Sequence, residues 1–463
     1  MNRFFNNLLS IPAALLLMLF FAISIGLATF LENDYGTIAA RAVVFNSWWL
    51  ELCLFVLCSI FIFNIFKYKL HSLNKLPILF LHLSFILIII GAGITRYVGQ
   101  EGVMRIREGS LNSQFISSNL FLEFKIHDNK FEYNGKKELL LSSISKNQFK
   151  IPISFDHKNV QIEYHNFIQD PVDFLLETTD QGENIVEFIV PAKEGGMDSK
   201  YLNRYNQSVI NGINVGFDHQ FQSDFEVFKV DSLFYFSSIY EVDYMRMSDQ
   251  SKGILNSNTK HRLNHKTLYT INGQSMVFKN YYSNARIIKK SSTIKNDELQ
   301  PDLLQVKLSI SEKDTILNLY GGRGAIASKE YFTFNGLFFS FSYGALNHTL
   351  PFAIYLKDFQ LERYPGSDSP SSFASEIQVM DGDTTFDYRI FMNNVLNYRG
   401  YRFFQSSYDK DEKGTILSVN QDKWGTMITY LGYLSLLLSV VAVFLSKFSR
   451  INLLGKKINN HRT

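Results

Sequence analysis

The chain of 463 residues is poor in several things that proteins of its length commonly use. It has two cysteines, nine prolines and three tryptophans. The cysteines, Cys53 and Cys58, do not form a Cys-x-x-Cys pair and no histidine follows them. That excludes a c-type cytochrome and a thioredoxin-like reductant. Five residues apart on a helix, they diverge by about 140°, which suits no shared ligand site, and both read as small buried hydrophobes. The remaining chain has no cysteine and needs no disulfide even in an oxidising compartment. Charge is scarce as well, but only at the ends. Residues 1–100 hold nine charged side chains and residues 424–463 hold five. The other 75 lie in residues 101–423, which are therefore about as charged as an ordinary globular domain, roughly a quarter. A mean hydropathy of −0.03 is thus an average of two unlike regions. Such a composition excludes a uniform soluble globule, and the soluble-looking part is too large for a compact transporter. With 15% aromatic residues, disorder is excluded too.

Catalytic signatures are also missing. No Ser-His-Asp or paired-carboxylate arrangement stands out, so nothing argues for a hydrolase. Gly321-Gly-Arg-Gly324 lacks a following Lys-Ser/Thr and reads as a turn, not a phosphate cradle. His261 and His265 have the spacing of a helical metal pair, but no Glu lies between them and no third ligand is near. His127, His157, His165, His219 and His348 are isolated and read as surface or strand histidines.

Long uncharged runs are present instead. Residues 4–31, 77–95 and 424–446 carry no charge, and 47–66 carry only Glu51 near the start. Spanning a bilayer takes ~20 apolar residues, so four transmembrane helices are expected, at about 8–31, 47–66, 77–95 and 424–446. The first run is too long for a cleaved signal peptide and lacks a small-x-small cleavage site, so it reads as retained. With four crossings, Arg3, Lys67, Lys69, Lys75, Lys447, Arg450, Lys456, Lys457 and Arg462 fall on one side, with no Asp or Glu among them. Basic short loops mark the cytoplasmic face. Both termini are therefore expected inside, with a basic cytoplasmic tail at 447–463 and a large domain, 99–423, outside the cell membrane. The net charge of +3 is then a sign of topology and no argument for nucleic-acid binding. Trp48-Trp49, at the external end of the second helix, reads as an interfacial anchor.

Within 99–423 the pattern shifts to period two, as in Phe121-Leu-Glu-Phe-Lys-Ile126, Val160-Gln-Ile-Glu-Tyr164, Phe225-Glu-Val-Phe-Lys-Val230 and Leu304-Gln-Val-Lys-Leu-Ser-Ile310. Such alternation suits strands with one buried face. Asn-Gly pairs at 134–135, 211–212, 272–273 and 335–336 supply the positive φ angles of tight hairpins. The expected fold class is membrane α plus β: four transmembrane helices and a large antiparallel β-rich domain, of one sheet or two stacked sheets, inserted between helices 3 and 4. Residues 247–266 and 367–372 are polar, lack either period and read as loops. No internal repeat is visible, and no boundary within 100–423 can be placed.

His82 stands apart. It is the only ionisable residue within the apolar run 77–95, five residues beyond Pro77 and so ~7–8 Å into the helix from its cytoplasmic end. An imidazole in hydrocarbon is expensive and should face other helices, a cavity or a ligand. Three roles suit it: a hydrogen bond between helices, a proton relay, or ligation of a metal or haem.

At this point the chain resembles the ResB/CcsB family of system II cytochrome c maturation. Carrying the resemblance are the three-helix, insert, one-helix order, the histidine on the third helix, and several local segments. These are Leu8-Leu-Ser-Ile-Pro12, Gly91-Ala-Gly-Ile-Thr-Arg-Tyr-Val-Gly-Gln-Glu-Gly102 followed by Arg107-Glu-Gly109, Pro351-Phe-Ala-Ile-Tyr-Leu-Lys-Asp-Phe359, Phe373-Ala-Ser-Glu-Ile-Gln-Val379 and Asn397-Tyr-Arg-Gly-Tyr-Arg-Phe-Phe-Gln-Ser-Ser-Tyr408. The last is similar to the family's Gly-Tyr-x-Phe-Tyr-Gln segment, with Phe404 in the second aromatic place. Residues of about 125–300 carry no such match and read only as β. The resemblance implies a non-catalytic subunit of a cytochrome c synthase complex. It would help carry haem across the inner membrane and present it, with apocytochrome c, to a CcsA-type partner for thioether attachment. His82 would be one axial ligand of a transient haem b shared with that partner, and a thiol-reducing protein of the pathway would prepare the apocytochrome. The family's tryptophan-rich haem-handling motif, which belongs to CcsA, is not found here, so a separate CcsA-type chain is expected. A competing reading is a membrane-anchored binding or sensory protein whose β-rich ectodomain captures a ligand.

Overall fold

The computed structural model describes residues 9–446, apart from 180, 193–194, 221, 293–300 and 325. Residues 4–8 of the first uncharged run, Arg3 and the expected tail at 447–463 lie outside the described residues. Four long apolar helices are present: α1 (Ile11–Tyr35), α2 (Trp48–Lys67), α3 (Leu76–Val98) and α4 (Lys423–Leu445), each of a length and composition able to cross a membrane. Their starts are set by local chemistry. Ser10 and Ser47 accept the hydrogen of Ala13 N–H and Leu50 N–H at the openings of α1 and α2. Asp422 does the same for Gly425 at α4, and Pro77 occupies the first turn of α3, where a missing N–H costs nothing.

Glu51, the one charge inside the second expected span, sits in the first turn of α2. It pairs with Arg96 near the end of α3 and accepts the Tyr97 hydroxyl at 2.9 Å. Arg96 also donates to the Phe45 carbonyl at 3.1 Å. The acid therefore lies at a helix N-terminus beside a cation, which is favourable on both counts.

Between Gln100 and Gln421 the described chain is almost wholly strand, β1 (Gln100–Arg107) through β26 (Gly414–Gln421). A ten-stranded sheet has β1 and β26 at its middle, antiparallel, in register from Gln100↔Gln421 to Arg107↔Gly414. β1 starts two residues after α3 ends, and β26 stops two residues before α4 begins. The central strand pair of the sheet is thus a direct continuation of the α3–α4 helix pair. Beside β1 run β2 (Leu111–His127) and then the 27-residue β21 (Leu337–Arg363), bent at register shifts. A four-stranded sheet containing β5 (Lys158–Ile168) and β18 (Asp302–Ile310) closes a core with the far halves of β2 and β21, built on Leu122, Ile126, Ile162, Leu308 and Phe341. A second core under the near halves holds Met104, Phe115, Ile354, Phe403 and Leu417. The alternation seen in the sequence is that of these buried faces.

Residues 168–295 form a separate compact unit, a boundary that hydropathy does not reveal. It holds a five-stranded and a seven-stranded sheet around Phe188, Phe217, Phe225, Phe236 and Phe278. Within it β10 (Ile213–Phe217) and β11 (Phe225–Val230) pair in parallel, whereas its hairpins pair antiparallel. Residues 247–266, expected as a loop, contain two short edge strands, β14 (Lys252–Leu255) and β15 (His261–Arg262). Edge strands pair on one side only and need no hydrophobic alternation, which is why the pattern missed them. Similarly, β22 (Pro370–Asp381) begins inside the expected loop at 367–372.

Three of the four Asn-Gly pairs are hairpin turns with positive φ at both residues. The fourth is not. Asn134 and Gly135 lie within β3 (Glu132–Leu139), where Gly135 pairs with Phe124. A Cβ there would collide with the Phe124 ring, so this glycine makes room for an aromatic face and does not serve a turn.

Candidate functional site

His82 projects from the second turn and a half of α3, half-buried and on the side of α2. Its Nδ1 lies 2.9 Å from the carbonyl oxygen of Ile78, one turn earlier. A carbonyl can only accept, so Nδ1 carries the hydrogen and Nε2 keeps its lone pair. No hydrogen bond reaches Nε2 among the described residues. The Phe61 ring of α2 stands edge-on to the imidazole, centroids 5.6 Å apart at 87°. Phe61 in turn stacks on Phe85, 5.2 Å away and nearly parallel at 8°. The result is an imidazole with one nitrogen held by its own helix and an aromatic ring of α2 edge-on to it. Of the three roles open to it, a side-chain hydrogen bond between helices is not formed, because the bond runs to its own helix.

Phe61 and Phe85 were not singled out from the sequence. A helical face that carries aromatics at 61, 82 and 85 on two adjacent helices is a visible signal only once the pairing of α2 with α3 is known. A second missed feature had a plain signature. Ser84 and Gly91 on α3, and Gly425, Gly432 and Ser439 on α4, recur at intervals of seven, and these small residues form the α3–α4 contact. A Cβ on Gly432 would lie 2.8 Å from Ile88 Cγ1 and 3.1 Å from Ile88 N. The hydroxyls of Ser84 and Ser439 give their hydrogens to Leu81 and Leu436 carbonyls of their own helices, at 2.8 and 2.9 Å. Close backbone approach over small residues is how helices associate in lipid. At the top of this contact the Thr95 hydroxyl donates to Asp422, tying the end of α3 to the cap of α4. His82 therefore stands on a helix that is fixed on one side by α4 and meets the aromatic side chains of α2 on the other.

The remaining candidates are not brought together. Cys53 is buried between α1 and α2, its sulfur 3.8 Å from the Leu17 carbonyl, and Cys58 is half-buried. His261 lies on β15, not on a helix, and its Nε2 is 3.0 Å from the Asn256 carbonyl oxygen. His265 Nδ1 is 3.0 Å from that of Lys279. His127 stacks on Phe338 and His348 on Phe115, at 4.9 and 5.1 Å. Gly322, Arg323 and Gly324 make the turn after β19 (Lys313–Gly321). No group of three or more His, Cys, Asp or Glu able to hold a metal ion occurs among the described residues. The site at His82 thus offers one ligand. That fits a metal whose other positions are filled by a macrocycle and by a second protein, and does not fit a bare ion.

Residues 315–449, from β19 through α4, match the sequence model of the ResB-like family. Over that stretch the chain is similar to this family. It is also 29% identical over 445 residues, 96% of its length, to Protein NrfI of Wolinella succinogenes. It spans about a third of that relative, 35% of its length. The family match covers the C-terminal strands of the ten-stranded sheet, the junction with the membrane and α4 itself. His82 lies outside it.

Proposed function

We propose that this ResB-like chain is a membrane subunit for cytochrome c maturation, with its cargo haem held during transfer by His82 from one side and by a CcsA-type partner from the other. The observation that carries the reading is the setting of His82: an imidazole at membrane depth, its Nδ1–H held by Ile78 and its Nε2 without a described partner, with Phe61 edge-on to it and stacked on Phe85. A ligating histidine commonly has its second nitrogen tied to a backbone carbonyl, which fixes the ring and raises its basicity. The haem brings the iron and its reactivity. This chain's part is to orient one nitrogen, to flank the site with apolar rings and to keep water from it.

On this reading the strands from Gln100 to Gln421 lie outside the inner membrane, as the basic Lys67, Lys69 and Lys75 between α2 and α3 support. The chain is then a platform for apocytochrome c, with thioether formation carried out on the partner and thiols kept reduced by a third protein. The test is to purify the full chain together with a co-expressed CcsA-type protein. The complex should show a b-type haem spectrum, which His82→Ala abolishes and which added imidazole restores in His82→Gly. Unchanged haem content in both variants, with the complex intact, would overturn the assignment of His82. Loss of maturation without loss of haem would place this chain's role after haem binding instead.

A further inference from the structure

Where the ten-stranded sheet meets α4 there is a cavity of about 340 Å³. One wall is the hairpin of β24 (Leu396–Tyr398) and β25 (Tyr401–Tyr408), whose tip, Arg399-Gly400, has φ of 48° and 86°. The other wall is the first two turns of α4, through Lys423, Thr426 and Met427. Its charges are lopsided. Arg399 is paired with Asp381 at 2.6 Å. Asp422 is consumed by the helix start, accepting from Gly425 N–H at 3.0 Å, from the Thr426 hydroxyl at 3.3 Å and from Thr95. Arg402 and Lys423 have no ion pair among the described residues. Arg402 lies over the Phe404 ring at 4.9 Å and reaches the Tyr430 hydroxyl from Nη1 at 3.3 Å. Its Nε is buried with no hydrogen-bond partner. A buried, unfilled N–H on a guanidinium is costly unless an acceptor is supplied from elsewhere.

The position of the cavity says what kind of acceptor. Met427 and Tyr430, 51% and 56% exposed, belong to the membrane span. Trp424, Tyr430 and Tyr433 are all more than half exposed and make an aromatic belt of the sort found at the headgroup level. Lys423, Thr426, Met427 and Tyr430 follow each other at helical spacing on one face of α4. A molecule seated there has acyl surface below it and two cations above.

We infer that this cavity binds the phosphate of an anionic phospholipid headgroup, with Arg402 supplying a forked donor and Lys423 a second charge. The bound lipid fastens the sheet to the bilayer at the α4 junction. The inference needs only that α4 spans the membrane and is independent of the role of His82.

Native mass spectrometry of the full chain in neutral detergent, titrated with phosphatidylglycerol, tests it. Wild type should retain one lipid, Arg402→Gln should weaken retention about tenfold, as loss of one charge-assisted pair implies, and Lys423→Gln by less. Arg402→Lys should recover part of the loss, and Lys357→Gln, on the same sheet away from the cavity, should change nothing. Equal retention by wild type and by the folded Arg402→Gln/Lys423→Gln double variant would overturn the inference. So would displacement of the lipid by inorganic phosphate at matching concentration, which would make this a site for free phosphate.

Discussion

The membrane helices and the 168–295 unit handle buried polar groups in opposite ways. In the helices the buried serines turn to their own backbone, Ser24 to Phe20, Ser84 to Leu81 and Ser439 to Leu436, all within 2.9 Å, while buried Asn64 leaves its Oδ1 without a partner among the described residues. No lipid group could do this for the serines. In the 168–295 unit the buried charge is met by distant side chains. Glu187, 1% exposed, accepts from Lys279 at 2.8 Å and from Tyr282 at 2.9 Å, over ninety residues away in sequence. Along their length such helices are held together mainly by shape, so below the Thr95–Asp422 bond at its end the α3–α4 contact rests on glycine. A sheet held by specific partners depends on each partner separately. Against the serine pattern His82 differs, because satisfying one of its nitrogens leaves the other without a described partner.

The contrast is broken most directly at Gly91. A Cβ there would lie 2.9 Å from Thr429 N and 3.1 Å from the Gly425 carbonyl oxygen, and backbone cannot give way as a side chain can. Gly91→Val should force α3 and α4 apart, at about 3 kcal/mol or more, the upper end of overpacking effects. Unfolding of the full chain in detergent would read it. Because β1 and β26 continue these two helices, exchange of the β1 amides should rise as well. An unchanged unfolding midpoint would mean that polar contacts, not close packing, hold the pair.

A smaller loss is expected from Lys279→Met. The lysine is half in water, so its own removal is cheap, but Glu187 is left with fewer donors in a buried place. The expected loss is about 1–2 kcal/mol, read as faster hydrogen exchange in β7 (Glu183–Pro191) and β17 (Gln274–Ser291). The effect has a pH signature. Burial pushes the Glu187 carboxyl up, but the hydrogen bonds from Lys279, Ser199 and Tyr282 outweigh it and hold the group below its usual value of 4.5. A depressed folded value means stability that is complete above 4.5 and disappears as pH falls through the folded value. Wild type should therefore lose protection in that acid range, and the variant should lose less.

How far these features could be read from the sequence follows the same division. The four spans were legible because hydrocarbon tolerates no charge, and the strands β2 and β18 because one buried face imposes period two, whereas β11 buries Phe225, Glu226 and Val227 in succession. Chemistry that depends on which elements meet was not legible. Gly135 looks like a turn residue until β2 places Phe124 against it. His82 was conspicuous as the only ionisable residue of its run, yet its tautomer is set by Ile78 and its surroundings by Phe61, neither of which its position predicts. The cavity around Arg402 lies in a segment whose family likeness was visible, while its unpaired donor was not. The heptad of small residues on α3 and α4 was open to inspection and lost in runs that were read only for their lack of charge.

Glu226 offers the finest test, because it is the place where the 168–295 unit departs from its own pattern. It is 7% exposed, and Oε1 accepts from His219 N–H at 2.7 Å. Oε2 is buried with no partner. Burial raises its carboxyl above the usual 4.5, although the His219 N–H and the nearby Ser223 hydroxyl work the other way. For an acid raised in the folded state, the native protein binds more protons than the unfolded chain between the two values. Stability therefore falls as pH rises from 4.5 to the folded value, and the penalty is complete above it. Glu226→Gln keeps the acceptor for His219 and removes the charge. It should stabilise the unit at neutral pH by roughly 1 kcal/mol or less, a gain that vanishes as pH is lowered past 4.5. Exchange of the β10 and β11 amides against pH would show it. A neutral-pH loss instead would mean that the charge at Oε2 is answered after all, and that the unit follows the rule of specific partners without exception.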